Sequence, residues 1–389
     1  MKILVINCGS SSVKYRLFDI KSKKNYSLLS KGIIEKIGQR ASLFSHQTNT
    51  SRFFKNKKVR LKKHKAAIKL IIETLTQDKK HRVLKSDDEI DAVGHRVVHG
   101  AEEFKESTLI DDKVIKSIRK NIRLAPLHNP PNLEGILASK DILKDVPQVA
   151  VFDTAFHQTL PEYAYLYGLP YRYYNKLHIR RYGFHGTSHR YVAKKAQEEL
   201  GRPLNKLKLI TCHLGNGCSI TAIKEGKSID TSMGFTPLEG LLMGTRCGDI
   251  DPAIILYIMN KDGLNTHQMN ELLNKKSGLK GISGVSNDMR DILKAIKNGN
   301  KLAKKAYEVF VYRIKKYIGA YIAVMGGVDA IIFTAGIGEN VKLIRDKATK
   351  GLKSLLGKKV KILAIATDEE LLIAQDTYDL VKNLAKSNL

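Results

Sequence analysis

The sequence has no apolar run long enough to cross a bilayer and no leader-like segment at its start. Its longest apolar stretches, such as AIILYIM and AIIF, are far shorter than the roughly 20 residues that a membrane helix needs. The ILVI that follows the first two residues is too short for the apolar core of a signal peptide. We therefore expect a cytoplasmic protein.

Cysteine is scarce, with four residues at positions 8, 212, 218 and 247. None forms a CxxC pair, and nothing resembles a disulfide scaffold, so reduced thiols are expected. Two histidine pairs, in HRVVH and HGTSH, have the i, i+4 spacing of helical zinc ligands. Neither contains the glutamate of HExxH, and Gly186 interrupts the second pair, so we do not predict a zinc site.

Acidic residues are few relative to basic ones, and 38 Asp and Glu against 67 Lys and Arg give a net charge of +29. Residues 52–69 contain basic side chains and no acid. Such an excess occurs in nucleic-acid-binding proteins, but here the lysines are spread along the chain without a nucleic-acid motif. We favour a solvated surface with weak, salt-dependent attraction to polyanions, and expect no specific nucleic-acid partner and no membrane partner.

The 389 residues exceed one ordinary core, so two domains are expected. The segments KILVINCGSSSVKYRLFDI and KLITCHLGNGCSITAIKEG echo each other, because both have an apolar strand, a polar glycine turn and a second strand. Helical periodicity covers 65–76, 130–143, 189–200 and 302–325, and apolar strands alternate with these segments. The pattern predicts two related α/β domains with a ligand in the cleft between them.

Three glycine-rich turns lack the common nucleotide motifs, since neither GxxxxGK[ST] nor GxGxxG occurs. The first turn, NCGSSS, is typical of a hairpin or of a phosphate cradle with Lys14 close behind. The third, at 336–340, is either a plain strand-to-helix turn or a place where the backbone approaches a nucleotide. Together the three turns indicate a different nucleotide fold.

Polar side chains beside the predicted strand ends form a group that suits phosphoryl transfer. Asp153 follows an apolar strand, which is typical of a carboxylate that orients metal or water, or of a helix N-cap. Arg96 and Arg246 could each bind phosphate or carboxylate, or form a structural salt bridge. His128 and His185 lie in predicted loops, the latter flanked by glycines. Phosphoryl transfer requires this kind of positioning and charge neutralisation.

These segments resemble the acetokinase family, within the superfamily of acetate and sugar kinases, heat-shock-cognate proteins and actin. The resemblance covers residues 1 to about 381 and rests on NCGSSSVKY, GHRVVHGAEEF, FDTAFHQTLP, YGFHGTSHRYV, HLGNGCSI, DTSMGFTPLEGLLMGTRCGDIDPA, SNDMRDI, TAGIGEN and TDEELLIAQDT. It implies an α/β fold of two duplicated actin-like (ribonuclease H-like) domains with an interdomain active-site cleft. The implied domains are 1–152 plus 370–389, and 153–369 for nucleotide binding and dimerisation.

The resemblance also implies an enzyme, a phosphotransferase with a carboxyl group as acceptor. The implied reaction is reversible, direct in-line transfer of the ATP γ-phosphoryl group to acetate, giving acetyl phosphate and ADP. Mg²⁺ is the implied cofactor, with Mn²⁺ as an alternative, and a homodimer is expected. A propionate or butyrate kinase remains an alternative, since one methylene is worth only about 1–3 kcal/mol of discrimination. So does an actin-like ATPase without an acyl acceptor.

Matching the motifs position by position assigns residues to roles. The implied metal positions are Asn7 and Glu369. The implied catalytic residues are Asp153, His185, Arg246 and His128, and the substrate-binding residues are Arg96, Val98, Leu127, Phe184 and Pro237. The implied nucleotide-binding residues are Ser10, Ser12, Lys14, His213, Leu214, Gly215, Asn216, Gly217, Asp288, Met289, Arg290, Gly336, Ile337, Gly338, Glu339 and Asn340.

The family labels Asp153 as an acid/base, but the chemistry does not need a base there. A carboxylic acid with a pKa of roughly 4–5 is already ionised at neutral pH and is itself the nucleophile. We therefore expect Asp153 to orient Arg96 or a magnesium-bound water. Cys8, Cys218 and Cys247 stand in three motif loops where the family usually has Ala or Ser, which is typical of replacement by a residue of similar size. The alternative hypothesis is that thiol reagents inactivate the enzyme and that ATP protects it.

Overall fold

The computed structural model describes residues 1–352 and 360–387. The chain forms two compact units: unit 1 comprises Met1–Ala155 and Asp368–Leu389, and unit 2 comprises Phe156–Thr367. These bounds differ slightly from those predicted, and the difference matters because Asp153 and Glu369 both fall in unit 1. Asp153 N–H donates to the Val97 carbonyl at 2.9 Å, which continues the strand ladder of unit 1.

In the described part of the chain, unit 1 is built on a sheet of eight strands in the order β5-β4-β3-β2-β1-β6-β8-β7. The first five strands form an antiparallel meander, β6 and β8 run parallel to β1, and β7 is antiparallel to β8. The strands are β1 Lys2–Gly9, β2 Ser12–Ser22, β3 Asn25–Glu35, β4 Ser42–Thr48, β5 Phe53–Val59, β6 Ala92–Val97, β7 Thr108–Leu109 and β8 Gln148–Phe152.

The sheet of unit 1 is covered by helices on both faces where its strands are most apolar. The helices are α1 His64–Thr76, α2 Asp112–Lys120, α3 Asn129–Ile142 and the C-terminal helix Glu369–Ser387. Leu4 and Ile6 of β1 share a core cluster with α1, while the C-terminal helix packs on β1 and β6. A Cβ on Gly94 would collide with Thr377 of that helix, so glycine permits this close approach.

The NCG stretch that interrupts the first apolar run lies within a hairpin. β1 continues through Gly9, Asn7 pairs with Lys14, and Ser10 and Ser11 form the connection to β2. The hairpin interpretation of this stretch therefore describes the backbone. A hairpin places Asn7 and Lys14 side by side on neighbouring strands.

Unit 2 repeats this beginning. In its described residues the strand order is β11-β10-β9-β12-β13, with β9 antiparallel to β10 and parallel to β12. The echoing sequence segments thus form equivalent hairpins, each pairing its first strand in parallel with a later one. The strands are β9 Lys208–Leu214, β10 Cys218–Lys224, β11 Lys227–Thr231, β12 Ala330–Thr334 and β13 Lys361–Ala364.

The helices of unit 2 include the long one predicted at 302–325. The helix Lys301–Met325 begins at Asn300, whose side chain caps the Ala303 N–H, and ends at Gly326 with φ of +63°. The α-helices of unit 2, in chain order, are α4 Glu162–Tyr165, α5 Arg172–Leu177, α6 Gly186–Leu200, α7 Pro252–Asp262, α8 Thr266–Glu271, α9 Gly278–Ser283, α10 Met289–Lys297, α11 Lys301–Met325, α12 Ala335–Asn340 and α13 Lys342–Thr349; the C-terminal helix Glu369–Ser387 of unit 1 is α14.

Two predicted loops are helix starts. His185 is the N-cap of α6 with φ of +57°, and Gly186 begins the helix rather than interrupting it. Residues 336–340, predicted as a turn before a helix, lie inside the short helix α12. In both places a residue with positive φ, His185 or Ala335, stands where the chain turns abruptly into the helix. The hydrophobic periodicity of the sequence does not indicate such a helix start. No helix within residues 1–352 and 360–387 has the length and apolar character that spanning a bilayer requires.

Buried histidines make the fold sensitive to acid. His95 on β6 is 2% exposed, bonds Gln148 Oε1 at 2.8 Å, and has its pKa lowered to about 4 by burial, against a partial opposing effect of Gln148. The unfolded chain takes up this proton near pH 6.5, so stability present above that pH is lost as pH falls toward about 4. We expect His95→Gln to remove about 3 kcal/mol of this pH-dependent loss, measured by urea unfolding between pH 7.5 and 4. Equal pH slopes for variant and parent would contradict it.

Candidate active site

Arg96 and Asp153 meet at the carboxyl ends of two neighbouring parallel strands of unit 1. Arg96 lies near the end of β6, and Asp153 directly follows β8. Arg96 Nε donates to Asp153 Oδ1 at 3.0 Å, and Nη2 donates to Oδ2 at 2.5 Å. Asp153 is 1% exposed. A buried carboxylate that accepts two parallel bonds fixes the plane of the guanidinium, which matches the orienting role expected for Asp153.

Asn7 and Glu369 approach the same guanidinium. Arg96 Nη1 donates to Asn7 Oδ1 at 3.5 Å, and Nε lies 3.8 Å from Glu369 Oε2. Burial lowers the pKa of Arg96, but the Asp153 and Glu369 carboxylates more than offset it, so the net shift is upward. Burial raises the pKa of Glu369 to about 7, against the attraction of Arg96 and with help from the charges of Asp153 and Glu370.

The donor atoms around Arg96 suit Mg²⁺ in kind. Asn7, Asp153 and Glu369 present amide and carboxylate oxygens, the ligands that hard cations take. Among residues 1–352 and 360–387, no group of three His, Cys, Asp or Glu side chains is gathered as a metal site. Mg²⁺ is commonly held by one or two carboxylates with waters and substrate phosphates, so a full protein cage is unnecessary.

Lys14, assigned to the nucleotide, is paired with the start of α14. Its Nζ lies 2.5 Å from Glu370 Oε1, and the neighbouring Arg16 Nη1 donates to both Asp368 oxygens at 2.9 Å. Burial raises the pKa of Glu370, but Lys14 and Arg16 outweigh it and the net shift is downward. Ser10 is exposed and Ser12 opens β2, so the serines lie in the hairpin while the acids of α14 anchor its second strand.

The remaining predicted residues of unit 1 are spread over different environments. Val98 is buried and its N–H donates to Asn132 Oδ1 at 3.0 Å. Leu127 is 59% exposed, and His128 is the half-buried N-cap of α3. Val98, two residues after Arg96 in the sequence, is therefore buried and hydrogen-bonded, whereas the Leu127 side chain is exposed to solvent.

His185 and Arg246 converge over the loop that joins β9 and β10 in unit 2. A Cβ on Gly217 would lie 3.4 Å from both His185 Nε2 and Arg246 Nη1. His185 Nδ1 bonds Ser219 Oγ at 2.9 Å, and its ring stacks on His213 with centroids 4.1 Å apart. Glycine thus leaves room for both side chains beside the backbone that was predicted to cradle phosphate.

Arg246 is a half-buried cation with no carboxylate partner among the described residues. Its Nη1 donates to the Pro237 carbonyl at 2.9 Å, and no ion pair joins it to an Asp or Glu in the described ranges. Burial lowers its pKa, with a small opposing effect from Cys218. A guanidinium in this condition attracts an anion, since a buried charge costs free energy until it is paired.

Two residues that the sequence interpretation missed orient His185. His189 is fully buried and bonds Ser219 Oγ through Nε2 and Thr211 Oγ1 through Nδ1, both at 2.7 Å. Burial, followed by the nearby His157 and His213, lowers the pKa of His189 well below 6.5, so it is neutral. The sequence signal for this contact was the i, i+4 spacing of His185 and His189 in HGTSH. In the structure, both histidines bind the Ser219 hydroxyl.

The predicted nucleotide segments of unit 2 line one cavity of about 430 Å³. Asp288 binds Arg290 at its edge, with Arg290 Nη2 2.5 Å from Oδ2. Segments more than a hundred residues apart in sequence are therefore gathered around one space. The lining residues are Gly215, Asn216, Asn287, Asp288, Met289, Arg290, Gly336, Ile337, Asn340 and Val341.

Other predicted nucleotide residues are not among that lining. His213 Nδ1 bonds Ser188 Oγ at 2.8 Å, and Glu339 Oε1 accepts the Thr367 N–H at 3.2 Å. Gly338 packs closely on the backbone of Phe333. Leu214 and Gly217 belong to the β9–β10 hairpin. The structure places these residues beside the cavity, where they support the segments that line it.

Phe184 and Pro237, assigned to the acyl pocket, both lie in unit 2. Phe184 is 2% exposed, and its carbonyl bonds His157 Nε2 at 3.0 Å. Pro237 contacts Arg246 through its carbonyl. Each apolar residue thus adjoins a residue assigned to the phosphoryl group. Phe184 directly precedes His185 in the sequence, and the Pro237 carbonyl accepts a hydrogen bond from Arg246.

The sequence model of the acetokinase family matches residues 2–375. The chain belongs to this family. It is 56% identical over 405 aligned positions to the acetate kinase of Caldanaerobacter subterraneus subsp. tengcongensis, covering 99% of this chain and 100% of that one. This confirms the predicted family, and with it the predicted enzyme class, that of acetate kinase.

Solved structures agree with the family assignment. The crystal structure of Porphyromonas gingivalis acetate kinase aligns with a TM-score of 0.92 and 46% identity, covering 98% of this chain and 99% of that one. A propionate kinase from Francisella tularensis subsp. tularensis aligns with a TM-score of 0.89 and 42% identity, covering 97% and 99%. The predicted α/β fold of two duplicated domains is confirmed, because each unit has a sheet that begins with the same hairpin and both kinase structures share the fold over nearly the whole chain.

The cysteines of this acetokinase chain are poorly placed for the predicted inactivation by thiol reagents. Burial raises the pKa of both Cys8 and Cys218 to about 12, and burial also raises that of Cys212. A thiol that is buried and protonated reacts slowly, because the thiolate is the nucleophile. Only Cys247, among the four, is partly accessible, and it lines a separate cavity of about 370 Å³.

We expect one thiol per native chain to react with a disulfide reagent, against four in urea. The reacting group is Cys247, so Cys247→Ser should leave the native protein without a reactive thiol on the same timescale. The measurement is the absorbance of released thiolate over time. Rapid reaction of any thiol in the folded Cys247→Ser protein would contradict the buried placement of the other three.

Proposed function

We propose that this chain reversibly transfers the γ-phosphoryl group of ATP to acetate, giving acetyl phosphate and ADP by direct in-line attack. The observation that carries the proposal is Arg96, a guanidinium held in one plane by the buried Asp153. Family membership supports the reaction class.

Arg96 binds the carboxylate of the acid. Acetate is ionised at neutral pH, so it needs a positioned cation rather than a base. Asp153 holds the guanidinium in place through two bonds and moves no proton in this scheme. The carboxylate that attacks is thereby bound in one orientation, and positioning of this kind provides much of the rate of phosphoryl transfer.

His185 and Arg246 bind the phosphoryl group as its charge spreads over the equatorial oxygens. Their convergence on Gly217 supports this assignment, as does the lack of a carboxylate partner for Arg246 in the described residues. Ser219 and His189 keep the His185 imidazole in one orientation. The nucleotide occupies the cavity lined by the residues around Asp288 and Gly336. Prearranged hydrogen-bonding groups and a guanidinium charge of this kind lower the barrier without moving during the reaction.

Asn7 and Glu369 would hold Mg²⁺, or Mn²⁺ as an alternative, through oxygen atoms. When bound, the ion supplies neutralisation of the phosphate charge. Glu369 needs to be ionised for this role, and the raised pKa of about 7 makes its charge depend on a nearby cation. The support for the assignment is the oxygen donor set itself.

Acetate and propionate are both candidate substrates, and propionate is included because the chain is similar to a propionate kinase. The assignment of Val98, Phe184 and Pro237 to the pocket favours a small methyl group, because Val98 and Phe184 are buried and firmly packed. One additional methylene changes kcat/KM by roughly 10- to 200-fold in such pockets.

Acyl-hydroxamate formation tests the proposal. Purified protein is incubated with ATP, Mg²⁺, hydroxylamine and either acetate, propionate, butyrate or no acid. Product with acetate, smaller product with propionate and none without acid is the expected pattern. Release of ADP without hydroxamate from any acid would contradict acyl phosphate synthesis and favour the actin-like ATPase alternative.

A cytoplasmic homodimer is the state we propose for the enzyme. Exposed apolar side chains of unit 2 support self-association: Leu256 and Tyr257 on α7 are 65% and 68% exposed, and Tyr312 on α11 is 66% exposed. Light scattering that gives about twice the chain mass of 43.6 kDa supports the dimer. A monomer at micromolar concentration would contradict it.

A further inference from the structure

Arg181, Tyr167 and Glu239 form a hydrogen-bonded cluster in unit 2 that the roles above do not use. Arg181 Nη2 donates to Glu239 Oε1 at 2.6 Å, and the Tyr167 hydroxyl donates to Glu239 Oε2. The side chains of Arg181 and Glu239 are 17% and 31% exposed. Burial raises the pKa of Tyr167, and the charge of Glu239 adds to the rise, so the hydroxyl stays protonated.

The cluster binds backbone on both sides of one short segment. Arg181 Nη1 donates to the three successive carbonyls of residues 231–233, at 2.9, 3.2 and 3.3 Å. The Tyr167 hydroxyl accepts the Phe235 N–H at 2.9 Å. Glu239 itself follows this segment. The chain from residue 231 to residue 239 is therefore fixed at its beginning, middle and end by three side chains that also bind one another.

The same segment is joined to the loop that carries Phe184 and His185. The Gly234 carbonyl accepts the N–H groups of Tyr182 at 3.1 Å and Gly183 at 3.2 Å. A Cβ on Gly234 would collide with Glu239 Oε2 and the Tyr167 hydroxyl, so the cluster occupies the space beside this glycine. The cluster thus packs against the point where the two loops meet.

Pro237 and Arg246 depend on this arrangement. Pro237 lies between the bonded residues Phe235 and Glu239, and its carbonyl accepts the bond from Arg246 Nη1 at 2.9 Å. Phe184 follows directly after Gly183. The positions of Phe184 and Pro237 relative to each other are consequently set through Gly234 and the three side chains around it.

We propose that the Arg181–Glu239–Tyr167 cluster positions Pro237 against Phe184 and so limits the length of the acyl chain that the enzyme accepts. This rests on the proposed function, since it presumes that both residues face the acyl group. A partly buried network in which each side chain is hydrogen-bonded to another resists displacement, and a wall held in this way disfavours an added methylene. These three are positioning residues, and none is assigned a contact with substrate.

Tyr167→Phe is the first test, because it removes one hydroxyl and keeps the ring. We expect the ratio of kcat/KM for acetate to that for butyrate to fall about tenfold, with KM for ATP unchanged. Partial unfolding lowers kcat/KM for both acids equally and leaves their ratio intact, so the ratio separates positioning from stability. Tyr165→Phe is the matched control, since its hydroxyl bonds only at 3.2 Å to the Tyr174 hydroxyl among the contacts seen for it, and the ratio should stay at the parent value.

Glu239 provides the second variant pair. Glu239→Gln removes the charge paired with Arg181, and Glu239→Asp keeps it, so the aspartate variant should retain more of the parent ratio. Equal losses for acetate and butyrate in Tyr167→Phe and Glu239→Gln would overturn the inference and leave a structural role. A parent ratio near one would overturn it too. No hydroxamate from the parent with any acid would instead overturn the proposed function.

Discussion

Replacing Arg96 with alanine is expected to reduce kcat/KM for acetate by about 10³-fold. The substrate carboxylate loses its cation and meets the unpaired Asp153 and Glu369 carboxylates, which the guanidinium holds at 3.0 and 3.8 Å in the parent. Removing one partner of a buried ion pair also lowers the free energy of unfolding, by roughly 3–5 kcal/mol. Hydroxamate kinetics and urea unfolding measure the two effects separately.

The double variant Arg96→Ala/Asp153→Asn distinguishes substrate binding from stability. It removes the stranded Asp153 charge, so stability should recover in part while activity stays low. Arg202→Ala is the surface control, because Arg202 also binds an aspartate, Asp329, at 2.7 Å but is half-exposed. Surface pairs contribute about 0–1 kcal/mol, so this variant should match the parent. An Arg96→Ala enzyme with near-parental kcat/KM would refute the assignment.

Arg246→Met is expected to lower kcat by about 10³-fold while hardly changing the midpoint of thermal unfolding. The reason is the environment of the side chain: Arg246 is half-buried beside the Pro237 carbonyl, with no carboxylate ion pair in the described ranges. Methionine has similar bulk and carries no charge to desolvate, which compensates for the lost bond. KM for ATP should change far less than kcat, because the guanidinium is required mainly as charge develops.

Arg181→Met supplies the contrast within the same unit. Arg181 is buried to a similar degree but is bound to Glu239 and three carbonyls, and burial, which lowers its pKa, is outweighed by Glu239 so that the net shift is upward. Its loss strands the Glu239 carboxylate, so the protein should lose roughly 3–5 kcal/mol of stability. Equal destabilisation by Arg181→Met and Arg246→Met would show that Arg246 is a structural arginine.

Much of the fold was accessible from sequence because its signals are local. The helices at 65–76 and 302–325 are amphipathic along their length, and the observed helices His64–Thr76 and Lys301–Met325 differ by one residue at their starts. The two hairpins were visible as echoing segments, since strand, polar turn and strand recur in order. Periodicity and turn composition suffice for such elements.

The sharp helix entries were less accessible. His185 and Ala335 adopt positive φ where a β-strand or loop runs abruptly into a helix, a choice made by tertiary packing rather than by local propensity. The glycines next to both residues, Gly186 and Gly336, were interpreted as an interruption and as part of a turn, but they lie inside α6 and α12. A glycine near a helix boundary does not indicate whether the helix begins before or after that glycine.

The site was predicted mainly through the resemblance, and its supporting contacts were not. Asp153 was expected to orient either Arg96 or a magnesium-bound water, and in the structure it binds Arg96. The cluster of Tyr167, Arg181 and Glu239 was missed, since its members are 72 residues apart at the extremes and lie in segments without periodicity. Polar contacts between loops depend on the folded backbone, so spacing in sequence carries no signal for them.

The division of unit 1 between the two ends of the chain has a consequence for biosynthesis. Residues from Asp368 onward complete this unit. During translation, the first 155 residues therefore remain an incomplete unit until all of unit 2 has been synthesised. Until the residues from Asp368 onward emerge, one apolar side of β1 is uncovered, and Lys14 and Arg16 lack their acidic partners Glu370 and Asp368. A nascent chain that stops short of Glu369 therefore also lacks the carboxylate that faces Arg96.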